Sequence, residues 1–443
     1  MEKDIGKQLV EFSVNTKYEK LPKDVIEFTK LLTLKTVSGM LAGSAKPSGR
    51  KMGEVVKEQK CLEEFRVIGS GLRTSLWNAI LLNAYFAHAA ELEDDKFDEG
   101  FSWDITVIPL LLNLAEKLRL SGKDLIEALV VGLEVHTRTC SVSSKHLGLA
   151  LIPGAVGPAI GAAKALGLGV KETSEALGLA MSGVPIRIAN TGTDAHFFES
   201  ALQALQGVIA AEMAKAGLKG NPDIEGYLIN HLGKENVVPG RIVEDLGNRW
   251  FLREIAIKKY GCCLMLHRHI DLVIELMKKH NLSYQEVEAI EAHSSPADKM
   301  QDRPEPKEAN DLQFSIQHVL AAAMLYGDVS LEHISDNAVG DKTLEEARRK
   351  VKFIIHPELS NQFLQDPARV VIKTKDGKEF SGERMYAIGH PRDPMKKEQI
   401  IDLYWKFSRG VLNDRAISRS ADLILNLENL DKIDELMNIV ASG

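Results

Sequence analysis

Residues 369–385 read RVVIKTKDGKEFSGERM, in which apolar and polar residues alternate on both sides of Asp376-Gly377, a dipeptide suited to the tight turn between antiparallel strands. The pattern predicts a β-hairpin. Working outward, EVEAIEAHSS (286–295) and VKFIIH (351–356) have the length and β-branched content of strands, with helical spacing between them. Residues 266–396 therefore read as a smaller α+β domain. On the N-terminal side, to about residue 260, apolar residues recur at helical spacing, as in LPKDVIEFTKLLTLKTVSGMLAG, SLWNAILLNAYFAHAAEL, ITVIPLLLNLAEKLRL and GKDLIEALVVGLEVHTRT. Gly, Pro and Asn break these runs at 121–123, 167–171, 217–223 and 230–240. Helical periodicity returns after residue 397 in KEQIIDLYWKFSRGV, SRSADLILNL and NLDKIDELMNIV, a set too short to bury its apolar faces alone. The fold expected is mainly α: a large all-helical domain built from both chain termini, 1–265 and 397–443, with the α+β domain 266–396 between them.

A chain of 443 residues, 44% hydrophobic and 26% charged, suits two domains, since single cores stop growing near about 250–300 residues. Its 55 basic and 62 acidic residues are mixed along the length and leave a net charge of −7, which offers no footprint for nucleic acid or an anionic membrane. The N-terminus has no apolar signal region, and no stretch reaches the ~18 apolar residues of a membrane span. A soluble cytoplasmic protein is expected. Only Cys61, Cys140, Cys262 and Cys263 are present, which argues for a reducing compartment and against a disulfide framework.

Four stretches carry groups capable of chemistry. NAYFAHAAELEDDKFDEG (83–100) runs from an apolar helix carrying His88 into a series of acids, Glu93 and Asp94 among them. Acids at a helix C-terminus oppose the macrodipole, so they stand there either as a solvated end or to hold a substrate hydroxyl, an amine or a cation. The oxygen-rich spacing of a calcium loop is absent. The segment 182–220 places Arg187, suited to bidentate carboxylate binding, ahead of a Gly/Thr/Asn turn, His196 and a long helix beginning near Phe198. A plain helix cap explains the turn equally well. KKYGCCLMLHRHID (258–271) gathers two cysteines and two histidines, yet without the repeated spacing of structural zinc. In a helix from Leu264, His267 and Asp271 share a face and His269 points elsewhere. Lys258 and Tyr260, just before the turn, are better placed to enter a pocket. Last, the apolar helix expected over 308–328 carries His318, which reads as a satisfied core residue or as a functional one.

Taken together, AHAAELEDD, GAVGPAIGAAKALGL, TGTDAH with GVIAAEMAKAGLKG, KKYGCCLMLHRHID, QFSIQHVLAAAMLYGD, HPRDP and the KF of YWKFSRG resemble, in order, the MmgE/PrpD family. The resemblance spans nearly the whole chain. It implies a helical domain from both ends, a smaller α+β domain, a cleft between them, a homodimer, and chemistry on small polycarboxylates that needs neither metal nor organic cofactor. Residue by residue, Glu93 or Asp94 falls on the family's acidic substrate segment, Lys258 on the lysine of K-x-Y-P, and His267 on the histidine after it. Elsewhere the pattern is broken: a histidine falls on Ser102, and another near Leu149, with His146 out of register. The lysine after G-T-x-A becomes His196, and the tyrosine of F-S-x-x-Y becomes His318. Lysine to histidine lowers the reference pKa from about 10.4 to about 6.5 and turns a permanent cation into a switchable one.

The function expected is a cofactor-independent lyase or isomerase that removes a proton alpha to a carboxylate. Catalytic roles fall to Lys258, His196, His318 and His267, and substrate binding to Glu93, Asp94, Arg187 and Tyr260. No metal ligand is assigned. The contrasting expectation is a non-catalytic relative that binds a small acid.

Overall fold

In the computed structural model, residues 4–96, 102–142, 154–183 and 190–442 are described, the side chains of residues 102 and 103 excepted. Helix starts follow local capping chemistry. The Asp4 carboxylate accepts from the Lys7 N–H to open α1 (Ile5–Asn15), and the Ser121 hydroxyl accepts from the Asp124 N–H at 3.2 Å to open the helix Gly122–Cys140. In chain order come α2 (Lys23–Ser44), α3 (Pro47–Lys57), the two-residue pair β1 (Phe65–Arg66) and β2 (Arg73–Thr74), and α4 (Leu76–Ala89). The pair β3 (Asp95–Lys96) and β4 (Ser102–Trp103) precedes α5 (Ile108–Leu118) and α6 (Gly122–Cys140). Next are α7 (Val156–Ala165), α8 (Val170–Ala180), α9 (Asp194–Lys215) and α10 (Ile224–Leu232). The protein is mainly α, although the two short strand pairs mean that this part is not wholly helical.

After α10 follow α11 (Leu264–Lys279), β5 (Val287–Ser294), α12 (Ala309–Leu312), α13 (Ile316–Tyr326), α14 (Asp336–Val339) and α15 (Lys342–Arg348). β6 (Val351–Ile355), β7 (Ala368–Thr374) and β8 (Glu379–Arg384) complete one sheet, and α16 (Lys397–Ser408), α17 (Asp414–Leu425) and α18 (Asp434–Ala441) close the chain. Contacts divide the chain into two units, residues 1–257 with 396–443, and residues 258–395.

Within the first unit, helix pairs approach at backbone distance where small residues face each other. A Cβ on Gly43 of α2 would lie 1.8 Å from the Phe86 carbonyl of α4, and one on Gly207 of α9 would lie 2.3 Å from Cβ of Pro158 on α7. The small-residue run 154–168 is thus used for helix packing. Leu9, Val131, Val135, Val156, Ile160, Leu177 and Leu228 build one core cluster from α1, α6, α7, α8 and α10. Each such buried aliphatic contributes about 1.5–3 kcal/mol. The late helices join the same unit: α16 and α17 pack on α2, Gly122 donates its N–H to the Leu430 carbonyl at 2.8 Å, and Gly69 donates to that of Val440 at 2.8 Å.

In the second unit, the sheet order is β6-β5-β7-β8, with β5 and β6 parallel and the other pairs antiparallel. The hairpin read from Asp376-Gly377 joins β7 and β8. Gly377 takes φ +82°, which costs a glycine nothing, and Thr374 Oγ1 accepts from the Lys378 N–H at 3.2 Å. Helix α11 lies on β7 and β8, and Leu266, Ile270, Val273, Ile290, Val319 and Ile372 are in one core cluster. The single helix expected over 308–328 is instead two, because the Ser315 hydroxyl accepts from the His318 N–H and starts α13 afresh.

Candidate functional site

Residues of the helical unit bring a group of imidazoles and carboxylates together at the end of α4. His88 lies in the last turn and Glu91 just beyond it, with the Glu91 N–H donating to the His88 carbonyl at 2.8 Å. Glu91 takes φ +51°, a left-handed conformation that costs a residue with a Cβ about 1–2 kcal/mol. That turn swings its carboxylate back beside His88, where Nε2 and Oε1 are 3.7 Å apart, and Glu93 Oε1 is 3.8 Å from the same nitrogen. His196 comes from the first turn of α9, which begins at Asp194, four residues before the start expected near Phe198. Its Nε2 lies 3.7 Å from Glu91 Oε1, and its ring centroid 4.5 Å from that of His88. All four residues are buried.

Asp94, next in sequence, belongs to a second buried group. Its backbone N–H donates to Asp104 Oδ1 at 3.0 Å, and Lys35 Nζ lies 3.7 Å from Asp94 Oδ1 while donating to the Leu92 carbonyl at 2.8 Å. Burial, and then the charge of Asp94, hold the Asp104 carboxyl well above the usual carboxylate range. The Thr36 hydroxyl, placed between Asp104 Oδ2 and the Leu32 carbonyl at 2.8 Å, donates to Asp104 and opposes part of that rise. With its native pKa raised, Asp104 favours the fold below its unfolded value near about 3.9, and this contribution is lost as pH climbs towards the native value. Each pH unit in that window costs up to about 1.4 kcal/mol. Asp104→Asn preserves the hydrogen bonds without the titration, so its melting temperature between pH 5 and pH 8 is expected to fall less steeply than that of the wild type. Parallel melting curves contradict this assignment.

In the smaller unit, Lys258 and Tyr260 are buried. Tyr260 donates to Asp271 Oδ1 at 2.9 Å, Lys259 Nζ lies 3.2 Å from the same oxygen, and the Ile388 N–H donates to Oδ2 at 2.9 Å. Burial and the adjacent Asp271 raise the Tyr260 pKa, so the phenol keeps its proton. His267 faces Tyr260 edge-on with centroids 5.1 Å apart, and its Nε2 donates to the Cys262 carbonyl at 3.2 Å. His269 turns the other way, donating from Nε2 to the His293 carbonyl at 3.0 Å, and burial lowers its pKa to about 3.

His318, on α13, is buried. Its Nε2 donates to the His333 carbonyl at 2.6 Å, and Nδ1 accepts from Arg348 Nη1 at 3.1 Å. Burial pushes its pKa down to about 4. Both ring nitrogens are thus engaged inside the unit, an arrangement that also suits a core histidine.

Thus Glu93 and His196 lie in one unit, and Lys258, Tyr260, His267 and His318 in the other. Arg187, His146 and Leu149 lie outside the described residues, as does the side chain of Ser102. Sequence reasoning passed over His88 and Glu91 as a pair, although a histidine and an acid at i and i+3 share a helix face. Among the described residues, no helix is long and apolar enough to cross a membrane.

The MmgE/PrpD N-terminal domain matches residues 7–226, and the MmgE/PrpD C-terminal domain matches residues 260–429. The cis-aconitate decarboxylase of Aspergillus terreus (strain NIH 2624 / FGSC A1156) is 24% identical over 479 residues, covering 98% of this chain and 95% of that protein. The cis-aconitate decarboxylase of Mus musculus is 25% identical over 390 residues, covering 82% and 78%. That of Homo sapiens is 23% identical over 405 residues, covering 85% and 83%. With family domains matched over most of its length, this chain belongs to the MmgE/PrpD family.

Proposed function

We propose that this protein is a lyase or isomerase of small polycarboxylic acids whose reaction begins by removing a proton alpha to a carboxylate. Relatives whose matches cover 98% and 82% of this chain are named for decarboxylation of cis-aconitate, a small tricarboxylate. The observation that carries the reading is the buried group of His88, Glu91, Glu93 and His196, a set of proton carriers gathered from two helix ends. An alpha proton is weakly acidic, so the site has to stabilise an enolate-like charge while a base takes the proton. In this proposal Lys258 supplies the cation for that charge, with Tyr260 and His267 as its polar surroundings. The imidazole–carboxylate group handles the proton. Arg187 binds a substrate carboxylate, and Asp94 helps to set the position of the acidic segment.

Proton NMR in deuterated water over a panel of di- and tricarboxylates, hydroxy- and amino-substituted ones included, tests the proposal. Solvent deuterium entering a substrate without net conversion is expected of an epimerase, and new vinyl signals are expected of an elimination. Lys258→Ala and His196→Ala should each lower the rate at least about 100-fold. A folded wild-type chain that exchanges no proton on any acid of the panel, while still binding one, would instead be a non-catalytic acid-binding relative.

A further inference from the structure

Lys258 stands at the start of the smaller unit, and residues 258–263 are neither helix nor strand. Buried backbone of that kind keeps one conformation only where side chains or neighbouring segments take up its polar groups. Here α11 and the junction of α12 with α13 supply anchors. The Cys262 carbonyl accepts from His267 Nε2 at 3.2 Å, the Cys263 N–H donates to the Gln313 carbonyl at 3.0 Å, and Gln313 Nε2 donates to the Gly261 carbonyl at 3.4 Å. These hold the end of the segment that leads into α11. Nearer the lysine, Asp271 supplies another anchor.

Asp271 lies about one turn after His267 on the same face of α11. Its side chain is 0% exposed and takes three donors: the Tyr260 hydroxyl at 2.9 Å and Lys259 Nζ at 3.2 Å on Oδ1, and the Ile388 N–H at 2.9 Å on Oδ2. A carboxylate withdrawn from water is stable only when it is paired and hydrogen-bonded, so the arrangement resists the loss of any of them. The phenol has one hydrogen, and it is directed at Asp271. With its ring edge-on to His267 at 5.1 Å and its hydroxyl on Asp271, Tyr260 is held at side and tip by two residues of one helix. Ile388 in turn precedes a tight turn, in which the Gly389 N–H donates to the Asp393 carbonyl and the Asp393 N–H to the His390 carbonyl, both at 2.8 Å. One carboxylate therefore joins the first residues of the smaller unit to the turn at HPRDP.

We infer that Asp271 is a positioning residue for Lys258: through the Tyr260 phenol it fixes the segment that carries the lysine, and Tyr260 is a strut with no hydrogen left to give a substrate carboxylate. The inference deepens the proposed function and rests on it for the role of Lys258. Tyr260 then acts on the substrate only by way of the lysine. A displacement of the reacting group by about 1 Å costs up to about 100-fold in rate, so a strut of this kind governs turnover without touching the substrate.

The test compares the full chain with Tyr260→Phe, which keeps the ring, with Asp271→Asn, and with the double variant. Kinetics are measured on the acid that the wild type processes, and amide hydrogen exchange is followed by mass spectrometry. Each single variant is expected to lower kcat at least about 10-fold with KM within about 2-fold, and the double variant to be no worse than Asp271→Asn, since the phenol acts through that carboxylate. In Tyr260→Phe the amides of residues 258–263 are expected to exchange at least about 10-fold faster, with the rest of the smaller unit unchanged. A KM raised at least about 10-fold by Tyr260→Phe at constant kcat makes the phenol a substrate ligand and overturns the inference. So does a Tyr260→Phe chain with lower thermal stability but unchanged kcat and KM, which makes the bond merely structural. A wild type that processes no acid of the panel sinks the proposed function instead. The exchange measurement then decides the strut by itself: unchanged rates at 258–263 overturn it, and local acceleration upholds it.

Discussion

Arg138→Ala is expected to destabilise the helical unit by about 3–5 kcal/mol, the range for stripping one partner from a buried ion pair. Arg138 on α6 is wholly buried and donates from Nη1 to the carbonyls of Ile242 and Glu244 at 3.0 and 2.8 Å, and from Nη2 to that of Arg249 at 2.6 Å. One turn earlier, Glu134 accepts from Arg138 Nε at 2.5 Å and from the N–H groups of Phe251 and Leu252 at 3.0 and 2.9 Å. The pair therefore ties α6 to the segment 242–252, which runs from one 3-10 turn (Pro239–Val243) to another (Phe251–Glu254), and satisfies backbone groups of that segment. The Phe251 ring adds a cation–π contact, 4.2 Å from the guanidinium. Burial already pushes the Glu134 carboxyl above its ordinary range, and Arg138 is the strongest influence pulling it down. Without the arginine the native pKa of Glu134 rises further. A raised native pKa favours the fold at low pH and loses that benefit as pH rises, so the variant should be less impaired at pH 5 than at pH 8. Urea titration at both pH values checks this, with a lower midpoint and an unchanged slope as the expected result. A loss under about 1 kcal/mol would show that the segment is held by other means.

The second large effect is expected at Gly157. A Cβ there would lie 2.2 Å from Cβ and 2.7 Å from Cα of His136, and 2.8 Å from the Gly132 carbonyl oxygen, where α7 crosses α6. These atoms belong to the backbone or adjoin it, so no rotamer change relieves the clash. Gly157→Ala therefore has to push the two helices apart, with a cost near the upper end of the overpacking range, about 3 kcal/mol. Gly53 on α3 is the contrast: a Cβ there meets nothing within 4 Å, and Gly53→Ala should stabilise by about 0.5–1 kcal/mol through helix propensity. Thermal melting of the two alanine variants is expected to move in opposite directions, and a common direction would contradict the packing argument.

Elements whose pattern is local were legible in the sequence. The hairpin at Asp376-Gly377 has the one residue type that takes its positive φ freely, and the helical runs repeat apolar residues at helical spacing. The break before α13 was harder to see, because Ser315 caps a new helix inside an otherwise continuous apolar run. Site residues divide along the same line. His88 and Glu91 are three apart and could have been paired by spacing, while their meeting with His196 depends on how α4 packs along α9. The engagement of His318 depends on Arg348 and on the His333 carbonyl, partners that no periodicity reveals.

Lys30 of α2 meets Glu428 at 2.9 Å across 398 positions of sequence. During synthesis, α2 and its neighbours emerge early, yet the surface that later receives α16 and α17 stays bare while the whole intervening sheet unit is translated. Contacts so remote slow the search for the native state and prolong the exposure of sticky intermediates. Expression of this protein is therefore expected to depend on chaperone protection during the interval before those last helices arrive.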